Sequence, residues 1–274
     1  MTTAVLTFGL LPPPLRVGQR AQMGKGWAKG LTAATDQRIA RMAGARHGKR
    51  RGPYRLRPTR AWVWTPELAY AVGLIATDGN LSPSGRHISV SSAEVVVLET
   101  FLRCVGRRAK IGKVKGGYGD HGLRVQIGDV GLYRWLQTIG LTPQKSLTLG
   151  SIDVPDTLLP HLLRGLLDGD GSITDCTYNG TGKASGGRYR TLRVRFNTAS
   201  RGHAEWVRER IGTEYGLAGG LWCKDGMYEL TYATRASRRL LRLLYPTPDV
   251  PCLPRKLAVW RKFEHEEGKP VALN

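Results

Sequence analysis

Leu163-Arg164-Gly165-Leu166-Leu167-Asp168-Gly169-Asp170-Gly171 matches, in character and spacing, an earlier stretch, Ala71-Val72-Gly73-Leu74-Ile75-Ala76-Thr77-Asp78-Gly79. Gly73 aligns with Gly165, Leu74 with Leu166, Asp78 with Asp170 and Gly79 with Gly171, all at one offset of 92 residues. Both stretches read as apolar helices stopped by a terminal glycine. A mid-helix glycine costs about 1 kcal/mol against alanine, and close approach of one helix to its twin would explain Gly73 and Gly165. Each acid stands at a helix C-terminus, the negative end of the dipole and the wrong end for a carboxylate. Two such acids brought together repel unless a cation sits between them. The pair Asp78 and Asp170 therefore predicts a divalent-metal site, and carboxylates with open water positions suit Mg2+ (or Mn2+). One Asp-Gly would be an ordinary helix cap or turn. Two in register, inside matching nine-residue segments, carry the reading.

The surrounding sequence extends the match. Thr65-Pro66-Glu67 is a helix start, with an N-cap hydroxyl, Pro in the first turn and an acid near the positive end. The helix LAYAVGLIATD follows, then a strand, RHISVSS, with Ile88 and Val90 on one face and His87, Ser89 and Ser91 on the other. VVVLETFLRCVG reads as a helix closed by Gly106, KIGKVKG and GLRVQIG as strands, and GLYRWLQTIGL as an amphipathic helix. The order then recurs. VPDTLLPHLLRGLLDGDG is a helix, YRTLRVRFNT a strand, HAEWVRERIG a helix, GLWCKDGMYELTYA a hairpin turning at Asp225-Gly226, and SRRLLRLLY a helix. The chain is expected to be an internal duplication of about ninety residues, with halves at 61–150 and 151–274.

The charge points to a polyanion. Forty-two Lys and Arg against twenty-one Asp and Glu give the 274-residue chain a net +21, and nucleic acid is the usual partner of such a surplus. A generically basic, ribosomal-type protein would show the same balance. Residues 1–60 hold thirteen Lys and Arg and one acid, Asp36, a net +12 that leaves +9 for the rest. This leader is rich in Gly and Pro and reads as a basic arm, poorly ordered without DNA. Within it, Thr35 is expected to cap a short helix running through Ala45. The four cysteines are scattered, with no CxxC pair, which argues against a zinc knuckle. Pro12-Pro13-Pro14 interrupts the mildly apolar N-terminus, so neither a signal peptide nor a membrane segment is expected. A reducing, cytoplasmic setting fits best.

With these motifs in view, both nine-residue stretches resemble the LAGLIDADG motif of homing endonucleases, in its single-chain, two-motif form. LRGLLDGDGSI is a very close match. AVGLIATDGNL departs at Ala76, where the family often has an acid, but keeps the metal-binding acid as Asp78. The resemblance spans about residues 61–265 and includes LQTIGLTPQKSLTLGSIDVP. It implies an α+β fold of two pseudo-symmetric αββαββα halves, with antiparallel sheets forming a DNA-binding saddle. It also implies a site-specific endonuclease that hydrolyses one phosphodiester on each strand of double-stranded DNA with divalent metal. In that picture Asp78 and Asp170 bind metal, and the carbonyls of Thr77 and Gly169 are added ligands. Lys145, in PQKS, and Lys256, in LPRKL, are the basic residues beside the scissile phosphates. Polar residues near Ser92 and Ser200 would position water.

The alternating strands suggest how DNA would be read. If Leu192, Val194 and Phe196 face the helices, then Arg193, Arg195 and Asn197 face the saddle. Arg124 and Gln126 do the same in the first half. Arg, Gln and Asn are the side chains that read major-groove edges bidentately. Lys113, Lys115, Arg188 and Arg190 flank these strands and are assigned to phosphates. A solvated sheet face would show the same alternation. The halves differ in sequence, so the target should be long and asymmetric and the enzyme a monomer. A non-cleaving maturase or regulator on the same scaffold is the main alternative. The chain begins with Met1 and shows no splicing blocks, so a free-standing enzyme of a mobile element is preferred to an intein.

Overall fold

A computed structural model describes residues 30–47, 61–114, 122–179 and 188–267 of the chain. Lys115 lies outside these residues, as does the Arg188 side chain. The chain forms two compact units, Met1–Pro58 and Thr59–Asn274. In the first, α1 (Gln37–His47) forms close to where the sequence places it. Its first turn is held by Asp36 rather than Thr35. The Asp36 carboxylate accepts from the backbone N–H groups of Arg38 (2.8 Å) and Ile39 (3.4 Å), whereas Thr35 folds back onto Thr32. Both are good capping residues, and only one can stand at the boundary.

The second unit carries the duplication. Its first half runs α2 (Pro66–Asp78), β1 (Gly79–Leu81), β2 (His87–Ser92), α3 (Val95–Cys104), β3 (Gly112–Lys113), β4 (Leu123–Gly128) and α4 (Val130–Thr138). Its second runs α5 (Leu159–Gly169), β5 (Ser172–Asn179), β6 (Arg188–Thr198), α6 (Arg201–Tyr215), β7 (Gly220–Lys224), β8 (Met227–Tyr232) and α7 (Thr234–Leu244). Each half is αββαββα, as expected. Each holds a four-stranded antiparallel sheet, in the orders β1-β2-β4-β3 and β5-β6-β8-β7. A further helix, α8 (Pro254–Glu267), follows, and among the described residues the first half holds no counterpart of similar length.

Register separates the two faces of each sheet. Ile88 pairs with Ile127 and Val90 with Val125, and all four are buried. Ser89 with Gln126 and Ser91 with Arg124 form the opposite face. In the second sheet Ile173–Val194 and Phe196–Leu230 point inward, whereas Thr174–Arg193, Ser172–Arg195 and Asn197–Glu229 line the open face. The alternation read from β4 and β6 therefore holds.

The halves meet through α2 and α5. Every residue of α2 from Leu68 to Ala76 is buried, the mark of a helix covered on all sides. Glycine makes the contact. A methyl group added at Gly73 would lie 2.5 Å from the Leu162 carbonyl oxygen and 2.7 Å from Gly165 Cα. One added at Gly165 would lie 2.2 Å from the Tyr70 carbonyl oxygen. These are backbone atoms, so a side chain there must separate the helices. The fully buried Arg164 is satisfied alongside. Its guanidinium donates to the carbonyls of Leu244 (2.6 Å) and Pro251 (2.7 Å) and bonds His161 Nδ1 at 2.9 Å, which offsets the cost of a buried charge.

Alanine at Gly73 or Gly165 gains about 1 kcal/mol of helix propensity and meets overpacking of about 1–3 kcal/mol or more. Gly165→Ala, with the shorter contact, should lower the midpoint of urea unfolding clearly. An unchanged or higher midpoint would refute close backbone packing.

Candidate functional site

Each motif helix runs almost directly into the first strand of its sheet, so Asp78 and Asp170 stand where the helix pair meets the open faces. The backbone at Gly169 is pressed against the opposite motif. A Cβ there would lie 2.0 Å from Thr77 Oγ1 and 2.8 Å from Asp78 Oδ2. The first motif's hydroxyl and carboxylate thus occupy the space that any other residue at 169 would need. Thr77 is turned into its own helix, its hydroxyl 3.2 Å from the Gly73 and Leu74 carbonyl oxygens. Burial raises the carboxyl pKa of Asp170, and the nearby Lys256 and Lys145 ammoniums oppose that rise.

The two lysines occupy matching places. Lys145 starts a short 3-10 turn after α4, and its buried ammonium donates to the Gly79 carbonyl at 2.5 Å. Lys256 lies in the first turn of α8, and its ammonium donates to the carbonyls of Gly171 (2.7 Å), Leu167 (2.6 Å) and Asp168 (2.9 Å). Gly79 and Gly171 are the equivalent last residues of the two motifs, so each lysine reaches the end of its own half's motif helix. The C-terminal carbonyls of a helix lack partners within it and favour a cation. Burial lowers both lysines to a pKa of about 8. Asp170 and Asp78 oppose that shift at Lys145, and Asp168, Asp78 and Asp170 oppose it at Lys256. Two acids and two cations therefore share one electrostatic site, although Lys145 and Asp78 are 67 positions apart in the chain.

Among the described residues no group of three or more His, Cys, Asp or Glu is gathered to hold a metal. The groups expected to hold metal, the two carboxylates and the carbonyls of Thr77 and Gly169, would offer oxygen donors alone, and the Lys256 ammonium lies 3.4 Å from the Gly169 oxygen. Such a set fits a hard cation that keeps several waters, as Mg2+ does.

Asp168, one turn position before the site, is a residue whose role the sequence did not reveal. It is almost wholly buried. Its carboxylate accepts from Leu253 N–H (2.7 Å), Tyr70 hydroxyl (3.0 Å) and Tyr245 hydroxyl (3.3 Å). Burial raises its pKa to about 6, against the opposing pull of the Leu253 N–H, Lys256, the Tyr70 hydroxyl and Arg164. By holding Leu253 it fixes the chain entering α8, and so the place of Lys256. The first half has Ala76 at this position. There the segment carrying Lys145 is held by Ser200, whose buried hydroxyl donates to the Leu149 carbonyl (2.5 Å), and by His203, whose Nδ1 lies 2.8 Å from the Gly150 oxygen. Ser200 and Ser92 are thus tied into the fold, Ser92 Oγ accepting from Glu94 N–H at 3.1 Å.

Of the residues expected on the open faces, Arg124, Gln126 and Arg193 are exposed there. Lys113, expected to flank these strands, is also exposed, but it pairs with Leu123 and so stands on the side of Val125 and Ile127 rather than with Arg124. Arg124 donates to Ser91 at 3.1 Å. Arg195 pairs with Glu229 (3.4 Å), and Asn197 donates to the Asp170 carbonyl (2.8 Å), tying the sheet face to the motif. Arg190 is a correction. It shares the even-numbered face with Leu192 and Val194, pairs with Asp175 and Glu266, and lies over the Phe263 ring of α8. It braces α8 and does not face outward with Arg193. Sequence reasoning also missed the stacked, exposed Tyr178 and Tyr189, whose ring centroids are 5.6 Å apart, and the exposed Trp222. Register puts all three on the open face of the second sheet.

A scan of protein-family models and a comparison with curated protein sequences give no match. Solved structures do match. The LAGLIDADG meganuclease I-AabMI, bound to uncleaved DNA, is 14% identical with a TM-score of 0.52, over 74% of this chain and 92% of its own. The homing endonuclease I-WcaI, bound to its DNA recognition sequence, is 13% identical with a TM-score of 0.51, over 72% and 88%. The chain has the LAGLIDADG fold. Full-length DUF199/WhiA from Thermatoga maritima is 12% identical with a TM-score of 0.48 and covers 78% of this chain. The LAGLIDADG-fold chain spans 66% of that protein, and the likeness is too loose to bear on function. No described helix is long and apolar enough to cross a membrane.

The shared site has a measurable signature. In metal-free protein, Lys145 should titrate near pH 8 in NMR spectra of the lysine side chains. Asp170→Asn should move it lower, because the lost carboxylate favoured the charged amine. A midpoint near 10.5, unmoved by the substitution, would separate Lys145 from the acids.

Proposed function

We propose that the chain is a site-specific double-strand DNA endonuclease of the homing type, in which Asp78 and Asp170 hold divalent metal with the carbonyls of Thr77 and Gly169. The observation that carries this reading is the convergence of both acids and both lysines where two open, partly basic sheet faces meet the motif helices. The net charge of +21 suits a DNA partner, and the LAGLIDADG fold supports the same reading. Magnesium or manganese, when bound, would activate water and stabilise the leaving oxygen. The chain's own groups do the rest. Asp78 and Asp170 must be ionised to hold the metal. Lys145 and Lys256, fixed by carbonyls, keep positive charge beside the phosphate without reorganising. Arg124, Gln126, Arg193 and Arg195 contact DNA across the open faces, Lys113 meets a phosphate from the flanking strand β3, and Asn197 contacts DNA while anchored to the motif. A single chain with two unlike halves acts as a monomer on a long asymmetric site, in keeping with a mobile-element enzyme.

One observation favours a second reading, a DNA- or RNA-binding maturase or regulator that does not cut. Three carbonyls within 3 Å of the Lys256 ammonium give that residue a structural duty independent of catalysis. A cleavage assay separates the two. Purified protein with Mg2+ and a duplex library that includes the uninterrupted flanking sequence of its gene should yield double-strand breaks at one site. Asp78→Asn and Asp170→Asn should abolish cutting and keep binding within a few-fold. Normal cutting by both variants would remove the metal assignment. Tight binding with no cutting by the native chain would favour the binder.

A further inference from the structure

Helix α7 carries Arg235, Arg238, Arg239 and Arg242 and no acid in the sequence TRASRRLLRLL. The spacing i, i+3, i+4, i+7 puts them on one side of the helix, over a rise of about 10 Å. The other side, Ser237, Leu240, Leu241 and Leu244, is buried. Ser237 and Thr234 accept from the backbone N–H groups of Val194 (3.0 Å) and Leu192 (3.1 Å), docking α7 onto β6. The arginine side therefore points away from the core and away from the open sheet face. Arg235, Arg239 and Arg242 are exposed. Arg242 pairs with the exposed Glu264 at 3.3 Å, and Arg239 donates to the Tyr215 carbonyl at 3.3 Å. Neither contact neutralises the stripe, because surface pairs are weak and a carbonyl carries no charge.

The duplication supplies an internal control. The equivalent helix α4, VGLYRWLQT, carries one arginine, Arg134. The fold thus places a helix here without needing a basic stripe. Arginine suits this role better than lysine, since its weakly hydrated fork grips phosphate oxygens in pairs.

We propose that the arginine face of α7 is a second DNA-backbone site, which takes a duplex segment other than the one on the open sheet faces. The inference rests on the DNA-binding reading above. It makes the protein able to hold two segments at once and to pass between them without sequence preference.

Bridging by the full chain tests it. Bead-bound duplex, protein and a fluorescent second duplex should form a ternary complex, with two duplexes per protein chain by analytical ultracentrifugation. Changing all four arginines to Gln should leave one-duplex affinity within about twofold and cut bridging at least tenfold. Changing all four to Lys should restore most of it, which also shows that the helix still folds. Equal bridging by the Gln variant, one duplex per chain at saturation, or capture of RNA in preference to DNA would overturn the proposal. Failure to bind even one duplex would instead overturn the DNA-binding reading on which it rests.

Discussion

The contact of Gly73 with Gly165 is the constraint on which the structure depends. Two helices can come this close only where neither carries a side chain, and the propensity lost at each glycine is offset by packing along α2 and α5. The close approach places the first motif's Thr77 and Asp78 against the backbone at Gly169. It also brings two helix C-termini, two acids and two lysines into one small volume. A wider separation would leave two ordinary Asp-Gly helix ends. The chemistry of the site is thus a consequence of backbone packing several residues away.

The halves are symmetric in topology and unequal in support. Both lysines end at the same carbonyl of the repeat, Gly79 or Gly171, yet they arrive by different routes. Lys145 comes from a short turn braced by the second half, through Ser200 and His203. Lys256 comes from α8, whose entry is fixed by the buried carboxylate of Asp168. Ala76 cannot make that bond, so the first half needs the brace that Ser200 supplies. After duplication, each half has come to rely on different side chains to hold an equivalent cation.

Much of this was legible in the sequence because it is periodic. The offset of 92, the mid-helix glycines and the alternation in β4 and β6 specify the helix pair and the sheet faces without reference to distant residues. What escaped was short, polar or long-range. β1 has three residues, and β5 has only Ile173 buried along a polar run, so neither stands out by pattern. α8 begins at Pro254 after a proline-rich turn and has no counterpart of its length among the described residues of the first half. Arg190 looked like a phosphate contact because it flanks the strand that carries Arg193 and Arg195. Its even position, with the Asp175 carboxylate paired diagonally across the sheet and the Phe263 ring beneath, makes it a brace. Asp168 looked like a variable motif position, and only the meeting of Tyr70, Tyr245 and Leu253 around it reveals what it holds.

The central claim is that Asp78 and Asp170 together form one cation site. Electron paramagnetic resonance titration of Mn2+ into the native chain, Asp78→Asn and Asp170→Asn measures it without requiring turnover or a known target. Saturable binding to the native protein, weakened at least tenfold by either single substitution, is the expected result. Equal Mn2+ affinity in all three proteins would contradict a site shared between the two motifs.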